Sequence, residues 1–83
     1  MLSPQELENK IKAIIAQQLS CEEGQVQLDS SLEDDLGADS LDKMELVIAF
    51  EEEFDIETDT ESIKEIRTVK DALAYVKQLI DAQ

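Results

Sequence analysis

Leu7, Ile11, Ile14, Ile15 and Leu19 recur at i, i+4, i+7, i+8 and i+12. That spacing puts them on one face of an amphipathic helix over roughly residues 4–19. Ser3-Pro4-Gln5-Glu6 opens it as a capping box with proline at the first helical position, and Cys21 to Gly24 end it. Val69, Ala72, Leu73, Val76, Leu79 and Ile80 form a second such face, opened by Thr68 with Asp71 three residues on. Between them, Asp39 is a good N-cap, with Asp42 as a favourable charge at N3, and predicts a helix from about Ser40 to Phe54. Asp55 to Asp59 is polar and turn-like. Thr60 to Ile66 predicts a short helix that buries Ile63 and Ile66. In the connection over 25–38, Val26, Leu28, Leu32 and Leu36 are spaced to pin the loop to a core, and Gly37 marks a turn. No segment alternates with period two. The expected fold is all-α: a four-helix bundle, three helices longer and one short, as a single domain over residues 1–83.

The second helix carries two apolar stripes. With Leu41 at zero and ~100° per residue, Leu46, Val47, Phe50 and Phe54 fall between about 140° and 240°. Leu41, Met44 and Ile48 fall between about 300° and 0° on the same wheel, with Glu45, Glu51 and Glu52 around them. A small bundle buries one broad face of each helix, so the second stripe is expected at the surface. An apolar strip rimmed by carboxylates suits docking: apolar contact for affinity, charge for approach and register. Lys43 sits on the core side, near the helix start, where it is expected to snorkel outward.

Composition narrows the function. An 83-residue chain is one small domain, whose core seldom leaves more than roughly 3–5 kcal/mol without a staple. The single cysteine, Cys21, cannot form an internal disulfide, and there is no histidine. A structural zinc site is therefore not expected. A lone thiol fits a cytoplasmic protein. The longest apolar run, Leu46 to Phe50, is far short of the ~20 residues that cross a bilayer. Met1-Leu2-Ser3-Pro4-Gln5-Glu6 lacks the marks of a signal peptide. A cytoplasmic monomer without membrane insertion is expected.

Net charge is −14, and residues 29–61 hold 14 of the 21 acids but one of the seven bases, Lys43. Nucleic acid would be repelled, whereas basic protein surfaces would be steered in. A calcium-sensor loop needs Asp-x-Asp-x-Asp-Gly with Glu at its twelfth position. Gly37 is preceded by Leu36, and no such loop exists. No specific metal site is expected, only loose divalent binding by Asp34, Asp39 and Asp42 or by Glu51 and Asp55.

Ser40 follows the cap residue, at the end of the docking stripe. A serine nucleophile needs an adjacent general base, most often histidine. None is available, and Asp39 and Asp42 are weakly basic when ionised. Ser40 is thus a poor catalyst but a suitable acceptor for a group installed by another enzyme.

The string Asp35-Leu36-Gly37-Ala38-Asp39-Ser40-Leu41-Asp42, followed by Glu45-Leu46-Val47, closely resembles the attachment signature of acyl carrier proteins, as does Phe50-Glu51-Glu52-Glu53-Phe54-Asp55. Helix order, loop lengths and Thr68-Val69 extend the resemblance over nearly the whole chain. It implies an acyl-carrier-protein-like bundle that is not an enzyme. A phosphopantetheinyl transferase would move 4'-phosphopantetheine from coenzyme A onto Ser40 through a phosphodiester. The arm's thiol would carry acyl groups as thioesters. Members of the stand-alone kind serve fatty acid synthesis. The resemblance therefore implies fatty acid synthesis enzymes with basic docking patches, and acyltransferases, as partners. It assigns Asp39, Leu41, Asp42, Met44, Glu45, Ile48, Glu51 and Glu52 to partner contact. It assigns Leu46, Phe50, Ile63 and Leu73 to a cavity that shelters the acyl chain.

Some positions depart from the family pattern. Thr58-Asp59 stands where Ile-Pro is usual, and Thr58 is expected to make the cavity mouth more polar. Ile63 replaces a smaller residue and is expected to narrow the cavity. Lys43 stands where a small or neutral residue is common. Other readings are a carrier for polyketide, D-alanyl or lipid A-type acyl cargo, and an unmodified acidic interaction module.

Overall fold

The structure, a computed structural model, describes residues 3–82. Met1, Leu2 and Gln83, the ends of the expected domain, lie outside the described residues. Helix α1 spans Pro4–Gln18, α2 Ser40–Phe54, α3 Thr60–Ile63 and α4 Val69–Asp81, with one 3-10 turn at Glu23–Gln25. The bundle is all-α, with three longer helices and one short one.

Each helix starts where a side chain takes up its orphan N–H groups. Ser3 Oγ accepts the Glu6 N–H at 3.1 Å and donates to the Glu6 carboxylate. Asp39 accepts the Asp42 N–H at 2.8 Å, and Asp42 accepts the Asp39 N–H in return at 3.1 Å. Thr68 and Asp71 form the same reciprocal pair. Asp59 caps α3 by accepting the Ser62 N–H at 2.7 Å, and its own N–H donates to the Tyr75 hydroxyl of α4. Bonds from the Ser62 N–H and hydroxyl, with the Glu61 N–H, hold the Asp59 carboxyl below its usual pKa.

Ile11 and Ile15 of α1, Leu46, Val47 and Phe50 of α2 and Val69, Ala72 and Val76 of α4 are buried. Helix α1 packs against both α2 and α4, and α3 packs against α2. The connection is pinned as its apolar spacing predicts: Val26 and Leu32 are buried, with Leu28 and Leu36 half-buried. Backbone bonds reinforce this. The Leu32 N–H donates to the Arg67 carbonyl, Val69 N–H to Ser30, and Lys70 N–H to Leu28 at 2.8 Å. Ser31 and Thr68 form an isolated antiparallel bridge.

Two boundaries differ from the sequence reading. The third helix ends at Ile63 instead of continuing to Ile66, because the Lys64 and Glu65 N–H groups close a turn by donating to the Glu61 and Ser62 carbonyls, three residues back. Ile66 is still buried, while Ile63 is half-buried. The first helix stops at Gln18, ahead of Cys21, where Ser20 takes a left-handed φ of 55°.

Asp71 gives a test of this capping. Burial acts to raise its pKa, but bonds from the Thr68 and Arg67 N–H groups, the Thr68 hydroxyl and the Arg67 charge together hold it lowered. Asp71→Ala is expected to cost about 1–2 kcal/mol in urea unfolding at neutral pH, as lost caps do. A depressed folded pKa contributes stability above the unfolded value and loses it as pH falls through the folded value. The difference between variant and wild type should therefore close as pH drops below 3.8, the ordinary value. A difference that persists through the acid range would refute the capping role.

Candidate functional site

The segment before α2 is a closed turn. Asp35 and Leu36 N–H groups donate to the Ser31 carbonyl, and Gly37 N–H donates to Glu33. The Asp35 carboxylate accepts the Ser31 N–H at 2.7 Å. Gly37 then takes a left-handed φ of 74°, where a side chain would be strained. Ala38 is buried, and its N–H bonds the Leu32 carbonyl at 2.7 Å. The chain is therefore anchored two residues before Ser40. Ser40 is the first residue of α2 and is exposed. Among the described residues its hydroxyl has no hydrogen-bond partner.

Beside Ser40 lies an open groove of ≈ 350 Å³, lined by Glu33, Ser40, Lys43, Met44, Ile63 and Lys64. Deeper in is an apolar gap of ≈ 10 Å³, lined by Leu32, Lys43, Leu46, Val47, Phe50, Ile63, Ile66 and Ala72. Three of the four expected cavity residues, Leu46, Phe50 and Ile63, line this gap. The half-buried Leu73 does not, and Ala72 represents α4 there instead. Thr58 lies elsewhere, in a surface hollow with Tyr75 and Leu79, so it does not make the groove at Ser40 more polar.

The outward stripe of α2 is at the surface: Leu41 is 63%, Met44 46% and Ile48 50% exposed. Glu45 and Glu52 are exposed beside it, and Glu51 is half-buried. Asp39 and Asp42 stand at the helix start with their carboxylates engaged in the cap. Glu53 points the other way and pairs with Lys10 of α1 at 2.8 Å. Among the described residues, no group of carboxylates or thiols is arranged to hold a metal ion.

Lys43 keeps its stem covered on the core side while its ammonium reaches out to the preceding loop. Its side chain is only 11% exposed and pairs with Glu33, whose side chain is 60% exposed. The wheel alone predicted its core side. Its partner lies ten residues back in the loop, and nothing in the local pattern announces it. Lys64 was likewise missed, because its place in the groove depends on how α3 meets α2.

The residues fit an arm attached at Ser40. The hydroxyl is accessible, the groove beside it has apolar walls in Met44 and Ile63, and two of the seven bases line it. A family model for the phosphopantetheine attachment site matches residues 9–76. The solution structure of an apo doublet acyl carrier protein from prodigiosin biosynthesis is 31% identical, with a TM-score of 0.78 over 89% of this chain and 36% of the doublet. The chain thus spans about a third of that protein's length. An acyl carrier protein from Thermotoga maritima is 29% identical, with a TM-score of 0.82 over 95% of this chain and 92% of its own.

Proposed function

Since this chain belongs to the family defined by the phosphopantetheine attachment site, and is a carrier domain rather than an enzyme, we propose that Ser40 is the attachment point of its 4'-phosphopantetheine arm. The carrying observation is the exposed Ser40 hydroxyl at the start of an acid-capped helix, beside an open groove. In the loading step the Ser40 oxygen forms a bond to phosphorus and the pyrophosphate bond of coenzyme A breaks. The nucleotide half leaves, and the serine proton passes to a base of the transferase. The base comes from the transferase because this chain has no histidine. Once attached, the arm supplies a thiol that holds acyl groups as thioesters.

The domain is then a carrier acting in the cytoplasm, and its cargo is a growing fatty acyl chain. Its partners are the phosphopantetheinyl transferase, acyltransferases and fatty acid synthesis enzymes with basic docking patches. Leu41, Met44 and Ile48 supply apolar contact, while Asp39, Asp42, Glu45, Glu51 and Glu52 supply charge. Support comes from the exposure of that stripe and from the acidity of residues 29–61. A cargo other than a fatty acyl chain is the second reading. It is favoured by the small size of the apolar gap and by the likeness to a carrier of prodigiosin biosynthesis.

Intact mass after incubation with transferase and coenzyme A tests the attachment. Charge reversal tests the docking face. The double variant Glu45→Lys, Glu52→Lys is expected to slow association with the transferase by about tenfold or more at low ionic strength, with dissociation little changed. Association rates that match wild type would remove α2 from the docking surface.

A further inference from the structure

Lys43 and Ile63 belong to two spaces at once. Both line the groove at Ser40, and both line the apolar gap beneath it. They are therefore the common wall between the attachment point and the core. The gap of ≈ 10 Å³ is at or below the roughly 10–15 Å³ that one water requires. Nothing the size of an acyl chain enters unless this wall moves.

The wall is asymmetric. Ile63 is half-buried at the end of a four-residue helix. Lys43 sits within the first turns of the long α2, with its apolar stem over Leu46 and Val47 at the gap and its ammonium held by Glu33 of the preceding loop. To clear the route, the stem must leave apolar surroundings and the ion pair must break. Lys64, on the far rim, adds a second cation to the groove, which favours an anionic phosphate and its tail remaining outside.

Resting on the attachment reading above, we infer that Lys43 is the specificity-determining residue for cargo, a latch between the groove and the core. Held by Glu33, it keeps the core shut, so that acyl groups ride in the outer groove against Met44 and Ile63. The cargo class that suits this arrangement is short or polar acyl groups, the second cargo reading above, in place of a growing fatty acyl chain. A long apolar chain is sheltered only when the latch is displaced.

The test loads Ser40 with acetyl or octanoyl pantetheine from the corresponding coenzyme A thioesters and checks loading by intact mass. Thioester cleavage by hydroxylamine then reports shelter. In wild type, the octanoyl form should be cleaved within about twofold of the acetyl form. In Lys43→Ala it should be cleaved about tenfold more slowly than in wild type, because most chains then lie inside. Methyl resonances of Val47 and Ile66 should shift in that variant and not in wild type. Glu33→Gln, which keeps the stem and frees the ammonium, should give intermediate protection. An octanoyl form already protected in wild type would overturn the latch, as would a Lys43→Ala variant without protection or a Glu33→Gln variant identical to wild type. If mass shows no unit on Ser40, the attachment reading fails and takes this inference with it. Loading with the wrong protection pattern refutes the latch alone.

Discussion

Replacing Ser40 with alanine is expected to abolish the mass gain of one phosphopantetheinyl unit while leaving the fold intact. The helix cap is Asp39, which bonds Asp42 whether residue 40 is serine or alanine. Ser40 is exposed, and surface changes away from caps and cores usually stay within about 0.5 kcal/mol. The urea midpoint should barely move. The loss of loading should be complete, because the other serines are poorly placed. Ser30 is buried, Ser3 and Ser31 accept backbone N–H groups, the Ser62 hydroxyl bonds Asp59, and the exposed Ser20 follows α1 instead of opening a helix. A variant that still gains the unit would move the attachment elsewhere. A variant that unfolds would show Ser40 to be structural.

The second large effect is in the core. Phe50 is 2% exposed, and its ring lies 6.5 Å from that of Phe54 in a tilted pair. Truncation of a buried Phe to Ala costs roughly 3–5 kcal/mol through lost transfer and the cavity left behind. A core of this size leaves roughly 3–5 kcal/mol in all. Phe50→Ala should therefore be largely unfolded at 37 °C, with no cooperative thermal transition by circular dichroism. Ile48, two residues earlier, is half exposed, and Ile48→Ala should keep a transition close to wild type. Equal effects of the two would deny that α2 has one buried and one outward stripe.

Sequence pattern made most of this helix legible, for local reasons. Asp39, Asp42 and Thr68 announce helix starts because capping involves residues three apart. The two stripes of α2 follow from helical period alone. Gly37 announces its turn because its φ favours glycine. The short third helix starts at Thr60 as its sequence suggests, but its end at Ile63 is not announced, because the apolar Ile66 stays buried through the following turn. The partner of Lys43 is not announced, because Glu33 lies in the preceding loop. The site is thus readable where it is helical. It becomes obscure where Glu33, Ile63 and Lys64 converge from separate segments.

The bonds that tie Leu28, Ser30 and Leu32 to residues 67–70 have a temporal consequence. They join parts of the chain nearly forty positions apart, so neither side can satisfy the other until both have been synthesised. A nascent chain emerges from the ribosome with the stretch ahead of Ser40 made early, yet that stretch lacks its anchors until the last helix begins to emerge. A transferase that requires the anchored turn would thus meet its substrate only once α4 has begun to emerge. Modification before that point is disfavoured by the order in which these hydrogen bonds become available.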